Sequence, residues 1–449
     1  MGDSEVTNWF GDVVSHPKAI VDANSVDDIV AVMKDPAKYP APVRAVGSNH
    51  STSPCGVADG GTLIRMKMNR ILSIGPDTIT VEAGARHIDM ARELEKRGLQ
   101  FYVNTEIGSL TAGSAACAGT KDASFEGEFG QVGSYVIGMK LVLPNGERLV
   151  IDEAQPELMR QARSSYGLFG IVYEVTYRIR PLTPMKVYHE TFTLADFAAK
   201  LEALKTRGES MMYYIFPFSD RITVEFRSYN PGAAGEPNRS AWILRNYLWA
   251  TLGPRLGHDT EASVPIPSVR YEVIEGFGAI LRFKLENLIR SDHTIPTDQI
   301  IDYPPVSNDS RYTFSLFAFP EADYPKIFTE FFDWVRDYHA RVGYRTNLIF
   351  VGYRIAPDQN ALLSYSYDGP VMTIDPVSTA NPGWQPFLKA YNEFCSDRGG
   401  LPLFNQTWGL TPAIVRKAFG ERLGAFKEAR KTFDPNGRLL NDYFRALLA

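Results

Sequence analysis

The sequence predicts an α+β protein of more than one domain, with at least one mainly antiparallel or mixed sheet. Three observations carry this reading. Short runs of β-branched and aromatic residues recur between amphipathic helical segments. At 449 residues the chain exceeds what one hydrophobic core usually serves. Two stretches of small residues, Gly47-Ser48-Asn49 and Gly108 to Thr120, interrupt the N-terminal part where a strand or helix would otherwise continue.

Composition excludes several classes. Hydrophobic residues make up 44% and charged residues 22%, an ordinary globular balance. A net charge of −5 offers no basic footprint for nucleic acid. No run of about 18 apolar residues suits an integral membrane segment. Three scattered cysteines, Cys55, Cys117 and Cys395, make neither a disulfide framework nor a zinc spacing, so no metal is expected. Met1 to Thr7 is polar and lacks an apolar signal region. The expected compartment is the reducing cytoplasm.

Taken in order, Ala19-Ile20-Val21 reads as a strand and Val26 to Met33 as a helix capped by Asn24 or Ser25. Val43 to Val46 is an apolar strand that ends in Gly47-Ser48-Asn49, with His50 and Ser51 at the mouth of the loop. Such a loop is an ordinary turn or a nest of N–H groups for an anion. Leu63 to Met66 and Ile79 to Gly84 are strands, and His87 to Lys96 is an amphipathic helix with His87 on its surface. The small-residue stretch through Gly113, Ser114, Gly119 and Thr120 suits either a backbone pressed against a pyrophosphate or a tightly packed helix. Tyr135 to Leu143 and Arg148 to Ile151 flank Pro144-Asn145-Gly146-Glu147 as a hairpin. Pro156 to Arg163 is a helix, and Ile171 to Ile179 is the strand that closes this half.

Beyond Met185, strands are expected at Val187 to Phe192, Met211 to Phe216, Ile222 to Arg227, Tyr312 to Phe319, Leu348 to Arg354, Leu362 to Asp368 and Val371 to Ile374. Helices are expected at Ala195 to Thr206, Ala241 to Leu252, Tyr324 to Val342, Trp384 to Cys395, Pro412 to Phe419 and Arg422 to Phe433. This mixture suggests a sheet with helices on one face. No G-x-G-x-x-G, Walker or G-x-S-x-G signature is present, so the two small-residue loops need another explanation.

The run VRAVGSNHS, the EAGAR segment at Glu82 to Arg86, SLTAGSAACAGT and GLFGIVYEVTYRI together resemble the vanillyl-alcohol-oxidase-type flavoproteins. MMYYIFPFSD, YRIAPDQNALLSYSYDG and the C-terminal FDPNGRLLNDYFRALL are similar to the aldonolactone and alditol oxidase branch. The resemblance implies a PCMH-type FAD-binding domain of two α+β subdomains over residues 1–181. An α+β cap with a mainly antiparallel sheet over 182–395 and a C-terminal segment, 396–449, returning to the FAD domain would follow. Arg44, Gly47, Ser48, Asn49, His50, Ser51, Gly113, Ser114, Gly119, Thr120, Gly170 and Ile171 would bind FAD. His50 would carry an 8α-histidyl link to the flavin, or else pack against its ring. Hydride transfer from a CH–OH group of a sugar-related or secondary-metabolite small molecule would reduce the flavin, with O2 as acceptor. A dehydrogenase with another acceptor, a biosynthetic oxidase acting on an amine or closing a ring, and a binding protein that kept the fold stay open.

Arg354, with Tyr353 beside it, is the catalytic candidate by resemblance, its alternative being a structural salt bridge. Three departures accompany it. Gly352 replaces a glutamate, Thr407 and Leu410 replace a histidine and a lysine, and Lys121 replaces a histidine. A pocket lacking those groups is expected to be less polar, lined by Tyr353, Asn405, Gln406 and Trp408.

Overall fold

The computed structural model describes residues 5–304 and 310–449, so Met1–Ser4 of the polar N-terminal stretch lie outside the described residues. Near the N-terminus, Ala19–Ala23, Thr62–Met66 and Val43–Val46 form a parallel sheet with Thr62–Met66 in the centre. Parallel strands need a crossover, and helix Val26–Lys34 carries the chain between the two outer strands, Ala19–Ala23 and Val43–Val46. Its start is set by a capping box. The Ser25 hydroxyl accepts from the Asp28 N–H, and the Asp28 carboxylate accepts from the Ser25 N–H.

A second, antiparallel sheet runs Arg148–Asp152, Val136–Val142, Ile171–Pro181, Thr78–Glu82 and Ile71–Ile74, with Leu99–Phe101 on the far end of Ile171–Pro181. The expected hairpin is present, and its turn places Gly146 at φ +83°, a left-handed conformation that glycine adopts without strain. Helix His87–Glu95 and the short helix Ala112–Cys117 pack on this sheet through Ile88, Leu94, Ala112 and Ala116.

The third sheet is antiparallel throughout and has eight strands among the described residues. In order they are Ser291–Thr294, Met185–Phe192, Arg221–Tyr229, Ser210–Phe216, Phe350–Ile355, Val371–Ile374, Phe317–Pro320 and Leu401–Pro402. Every residue of Ser210–Phe216 is buried. Met211, Tyr213 and Ile215 share a core with helices Leu194–Lys205 and Tyr324–Val342, whereas Met212, Tyr214 and Phe216 share one with Arg239–Tyr247 and Pro267–Asn287. Helices therefore cover both faces of this sheet, not one, because the strand is apolar on both sides.

Other differences have local causes. Residues 362–368 alternate like a strand but form turns. The Arg422 guanidinium donates to the Leu362 and Ser364 carbonyls, and Gln131 donates to the Ser364 and Ser366 hydroxyls, so a ladder partner is not needed. The run from Tyr312 to Phe319 splits into Thr313–Phe314 and Phe317–Pro320, which pair with different strands. Helix Pro267–Asn287 escapes a periodicity reading because Val269, Val273, Ile280 and Phe283 are exposed and blur its apolar stripe. Helix Pro412–Phe433 breaks at Gly420 (φ 50°, ψ −130°), as the two-helix reading expects.

The chain end lies against the parallel sheet. The Val43 N–H donates to the Arg438 carbonyl at 2.9 Å, and Asn441 Nδ2 donates to the Pro54 and Val57 carbonyls, both at 2.9 Å. No described helix is long and apolar enough to cross a membrane.

Candidate active site

The Val43–Val46 strand delivers Gly47 to Ser51 into a cleft enclosing about 1120 Å³ of non-protein space, its open mouth included. Gly47, Ser48, Asn49, His50 and Ser51 line one side, and Gly113, Ser114, Thr120, Gly170 and Ile171 line another. Asn405 and Gln406, from the C-terminal part, complete the wall.

Two features suit this cleft to a phosphorylated, extended ligand. Asn49 takes a left-handed conformation (φ 55°), which turns successive amides to one side. The N–H groups of Ser48, Asn49, His50 and Ser51 have no hydrogen-bond partner among the described residues. These residues are half-buried at the cleft wall, so their N–H groups are free to meet an acceptor in the cleft. Gly47 is obligatory for packing. A Cβ there would lie 2.0 Å from Thr111 Oγ1.

His50 sits within this run of amides. Its Nε2 meets Ser109 Oγ at 2.7 Å, its ring stacks on Trp9 at 5.0 Å, and Nδ1 has no partner among the described residues. Burial disfavours the imidazolium and brings its pKa down to about 4, so the ring is neutral at pH 7. A neutral ring with one unprotonated nitrogen is a nucleophile.

Arg44 lines the cleft, and its guanidinium donates to the Cys55, Leu439 and Tyr166 carbonyls at 3.0, 3.0 and 2.6 Å, tying three segments together at the cleft wall. Other expected residues serve the scaffold instead. Gly119 does not line the cleft. Its carbonyl accepts from Tyr365 Oη, and a Cβ there would press on Tyr365 and Leu403. The small-residue stretch forms a six-residue helix whose first amides, Ala112 and Gly113, donate to Ala85 and Ala83. It therefore presents side chains and small surfaces to the cleft rather than those amides. His87 is buried, not on the surface, and stacks on Phe101.

A second chamber of about 650 Å³ abuts the cleft, and Ile107, Leu110, Thr120, Phe314 and Gln406 line both. Its apolar walls include Trp249, Tyr312, Val351, Tyr353 and Val377. Its charged groups are Lys121, Glu106, Asp122 and Asp375. Lys121 Nζ lies 3.1 Å from Asp375 Oδ2 and 3.8 Å from the centre of the Tyr353 ring. Glu106 pairs with Arg245 at 2.8 Å, and Asp122 pairs with Arg227 at 2.7 Å. Burial raises the Asp375 carboxyl to about 6 despite the Lys121 charge.

Strand parity settles where the expected catalytic arginine goes. Along Phe350–Ile355, Val351 and Tyr353 face the chamber. Gly352 and Arg354 therefore face the other side. Arg354 lines neither cavity, and its Nε donates to Glu321 Oε2 at 2.7 Å. The salt-bridge alternative holds for this residue, and the catalytic assignment is corrected. Gly352 is not a gap left in the chamber by a lost glutamate. A Cβ there would lie 2.1 Å from the Tyr213 ring and 2.4 Å from the Thr373 carbonyl. Trp408 also lines neither cavity, and its carbonyl accepts from Asn392. Thr407 is a buried scaffold residue whose hydroxyl donates to the Leu316 carbonyl at 2.7 Å. The expectation of a pocket without ammonium and carboxylate is corrected too, since Lys121 and Asp375 supply both from other positions. Asp375 carries no motif in the sequence. The signal for Lys121 was its departure from the family histidine.

Comparison with known proteins shows which families the chain resembles. Residues 17–152 match the FAD binding domain family, and residues 306–447 match the D-arabinono-1,4-lactone oxidase family. An L-gulono-1,4-lactone dehydrogenase of Mycobacterium tuberculosis is 24% identical over 447 residues, covering 98% of each chain. A D-arabinono-1,4-lactone oxidase of Eremothecium gossypii is 26% identical over 260 residues, 55% of this chain and 48% of that one. Among solved structures, cholesterol oxidase from B. sterolicum superposes with a TM-score of 0.78 at 15% identity, covering 99% of this chain and 96% of that one, a likeness of fold. The chain is an FAD-dependent oxidoreductase with the PCMH-type fold. Its family matches and relatives are those of the aldonolactone oxidase branch of the vanillyl-alcohol-oxidase-type flavoproteins.

Proposed function

We propose that this protein oxidises a CH–OH group of a neutral, sugar-related lactone held in the second chamber, and that FAD lies in the cleft beside it. The observation that carries this reading is the direct contact of the two spaces across Thr120, Phe314 and Gln406. Bound there, FAD supplies the hydride acceptor. The amides of Ser48, Asn49, His50 and Ser51 would hold its phosphates. His50, neutral and with Nδ1 unpartnered, would carry the covalent link. The apolar and aromatic walls would bind the carbon face of the substrate and exclude water.

The domain division follows the same reading. Residues 1–181 would form the FAD-binding unit, 182–395 the cap, and 396–449 the segment that rejoins the first. Three buried free cysteines support a reducing, cytoplasmic setting.

The test is anaerobic mixing of the yellow protein with a panel of aldono-1,4-lactones. Loss of the visible flavin absorbance is expected with at least one of them, and a panel that leaves it unchanged rejects the substrate class. In-gel flavin fluorescence after denaturation is expected for the wild type and absent for His50→Ala. A dissociable flavin in the wild type would remove the covalent link. O2 is the expected electron acceptor. The Mycobacterium tuberculosis relative, named a dehydrogenase, favours a second reading with another acceptor. Stopped-flow reoxidation separates the two, because a dehydrogenase reoxidises slowly in O2.

A further inference from the structure

Lys121 is the one cationic side chain among the described residues that line the chamber. It follows Thr120, which lines both cavities, so it stands at the junction of cofactor cleft and substrate space. Its position is held at both ends. The backbone at Lys121 bridges to Gln131, and the ammonium is fixed between the Asp375 carboxylate and the Tyr353 ring. The side chain is 8% exposed and that of Asp375 is 3% exposed, so neither has bulk water to solvate it. Asp375 is fixed in turn. Its N–H donates to the Val351 carbonyl at 2.8 Å, and its carbonyl accepts from the Val351 N–H at 3.0 Å.

An ammonium has three N–H donors. One goes to Asp375 Oδ2. No second acceptor among the described residues meets Nζ, and Lys121 lines the chamber, so a further charge-assisted donor is left for an uncharged oxygen acceptor there. The charge balance argues against an anionic ligand. Each carboxylate of the chamber has a cation beside it, Asp375 with Lys121, Glu106 with Arg245 and Asp122 with Arg227, so no positive charge is left for another anion.

We propose that Lys121 is the substrate-anchoring donor of this chamber, engaging a carbonyl or ring oxygen of a neutral lactone, with Asp375 and Tyr353 as its positioning residues. This rests on the lactone-oxidising reading above and deepens it by naming the group that recognises the ring.

The test uses γ-butyrolactone, which has no hydroxyl to oxidise, and reads its dissociation constant on the FAD-loaded protein by calorimetry. Lys121→Met is expected to weaken binding by about tenfold or more. Lys121→Arg is expected to recover much of the loss. Because Lys121→Met leaves a buried carboxylate without its cation, the paired variant Lys121→Met/Asp375→Asn is measured beside it. The paired variant is expected to keep the wild-type melting temperature and flavin content while still binding γ-butyrolactone weakly. Wild-type affinity in either Met variant, or no binding of γ-butyrolactone to the wild type, overturns the proposal. Failure of the broader reading looks different, since no lactone of the panel would then reduce the wild-type flavin, whatever the γ-butyrolactone affinities are.

Discussion

At the residue scale, two histidines show how burial alone sets a protonation state. His50 and His87 are both held neutral, each brought down to about 4 by burial. They differ in surroundings, because His50 lines the cleft and His87 stacks on Phe101 within the scaffold. The His87 pKa gives a stability prediction. The unfolded chain binds a proton at that imidazole below about 6.5 while the folded chain does not until about 4. Folding stability is therefore lost as pH falls through that window, by up to about 3 kcal/mol for this group. His87→Phe should flatten the fall between pH 6.5 and 4, as read by urea unfolding at a series of pH values. An equally steep profile in the variant would assign the acid sensitivity to other groups. Lys121 and Asp375 illustrate the opposite case, a buried ion pair retained at a chamber wall, where an apolar pair would cost less desolvation.

At the scale of the element, strand Phe350–Ile355 decides the reading of a whole motif. A strand sends successive side chains to opposite faces. The sequence pattern that singles out Gly352 and Arg354 therefore selects the face turned away from the chamber, whereas Val351 and Tyr353 face it. Parity was legible in the sequence, but the face that meets the cavity was not, because it depends on which sheet neighbours and helices cover each side. Gly352 carries a direct prediction. With Tyr213 and the Thr373 carbonyl within 2.4 Å of any Cβ, Gly352→Ala should destabilise the protein by about 1–3 kcal/mol, measured as a fall in melting temperature. An unchanged melting temperature would mean that the Tyr213 ring moves aside without cost. The Val43–Val46 strand is the contrasting case. Its apolar run, its end at Gly47 and the loop to Ser51 were all readable locally, since the strand pattern and the positions that follow it lie within nine residues.

At the scale of the whole molecule, Arg44 and the C-terminal segment hold the cleft in shape. The Arg44 guanidinium takes carbonyls from Cys55, Tyr166 and Leu439, which are distant in sequence. Arg44→Met would leave the buried Tyr166 and Leu439 carbonyls without a side-chain donor and the Cys55 carbonyl with only the longer bond from Asn441. A loss of more than about 3 kcal/mol is expected in chemical unfolding, with FAD retained more weakly by the folded fraction. Stability within about 0.5 kcal/mol of wild type would show that water replaces the guanidinium there. The chamber is a product of the same scale. Lys121 comes from the N-terminal part, Asp375 from beyond the strand at Val371–Ile374, and Gln406 from near the chain end. Nothing in the spacing of these three along the chain joins them.

The α+β class, most elements, the two small-residue loops, His50 and the FAD-binding identity of the N-terminal part could all be read from residue order, because each rests on local periodicity, turn chemistry or contiguous motif. The composition of the second chamber could not. Its ammonium, carboxylates and aromatic walls converge from separate segments, and their roles depend on strand facing and on burial. Those properties arise when the sheets are covered and the chain end is docked, which is why the arginine favoured by the motif lies in a salt bridge and the lysine that breaks the motif lines the second chamber.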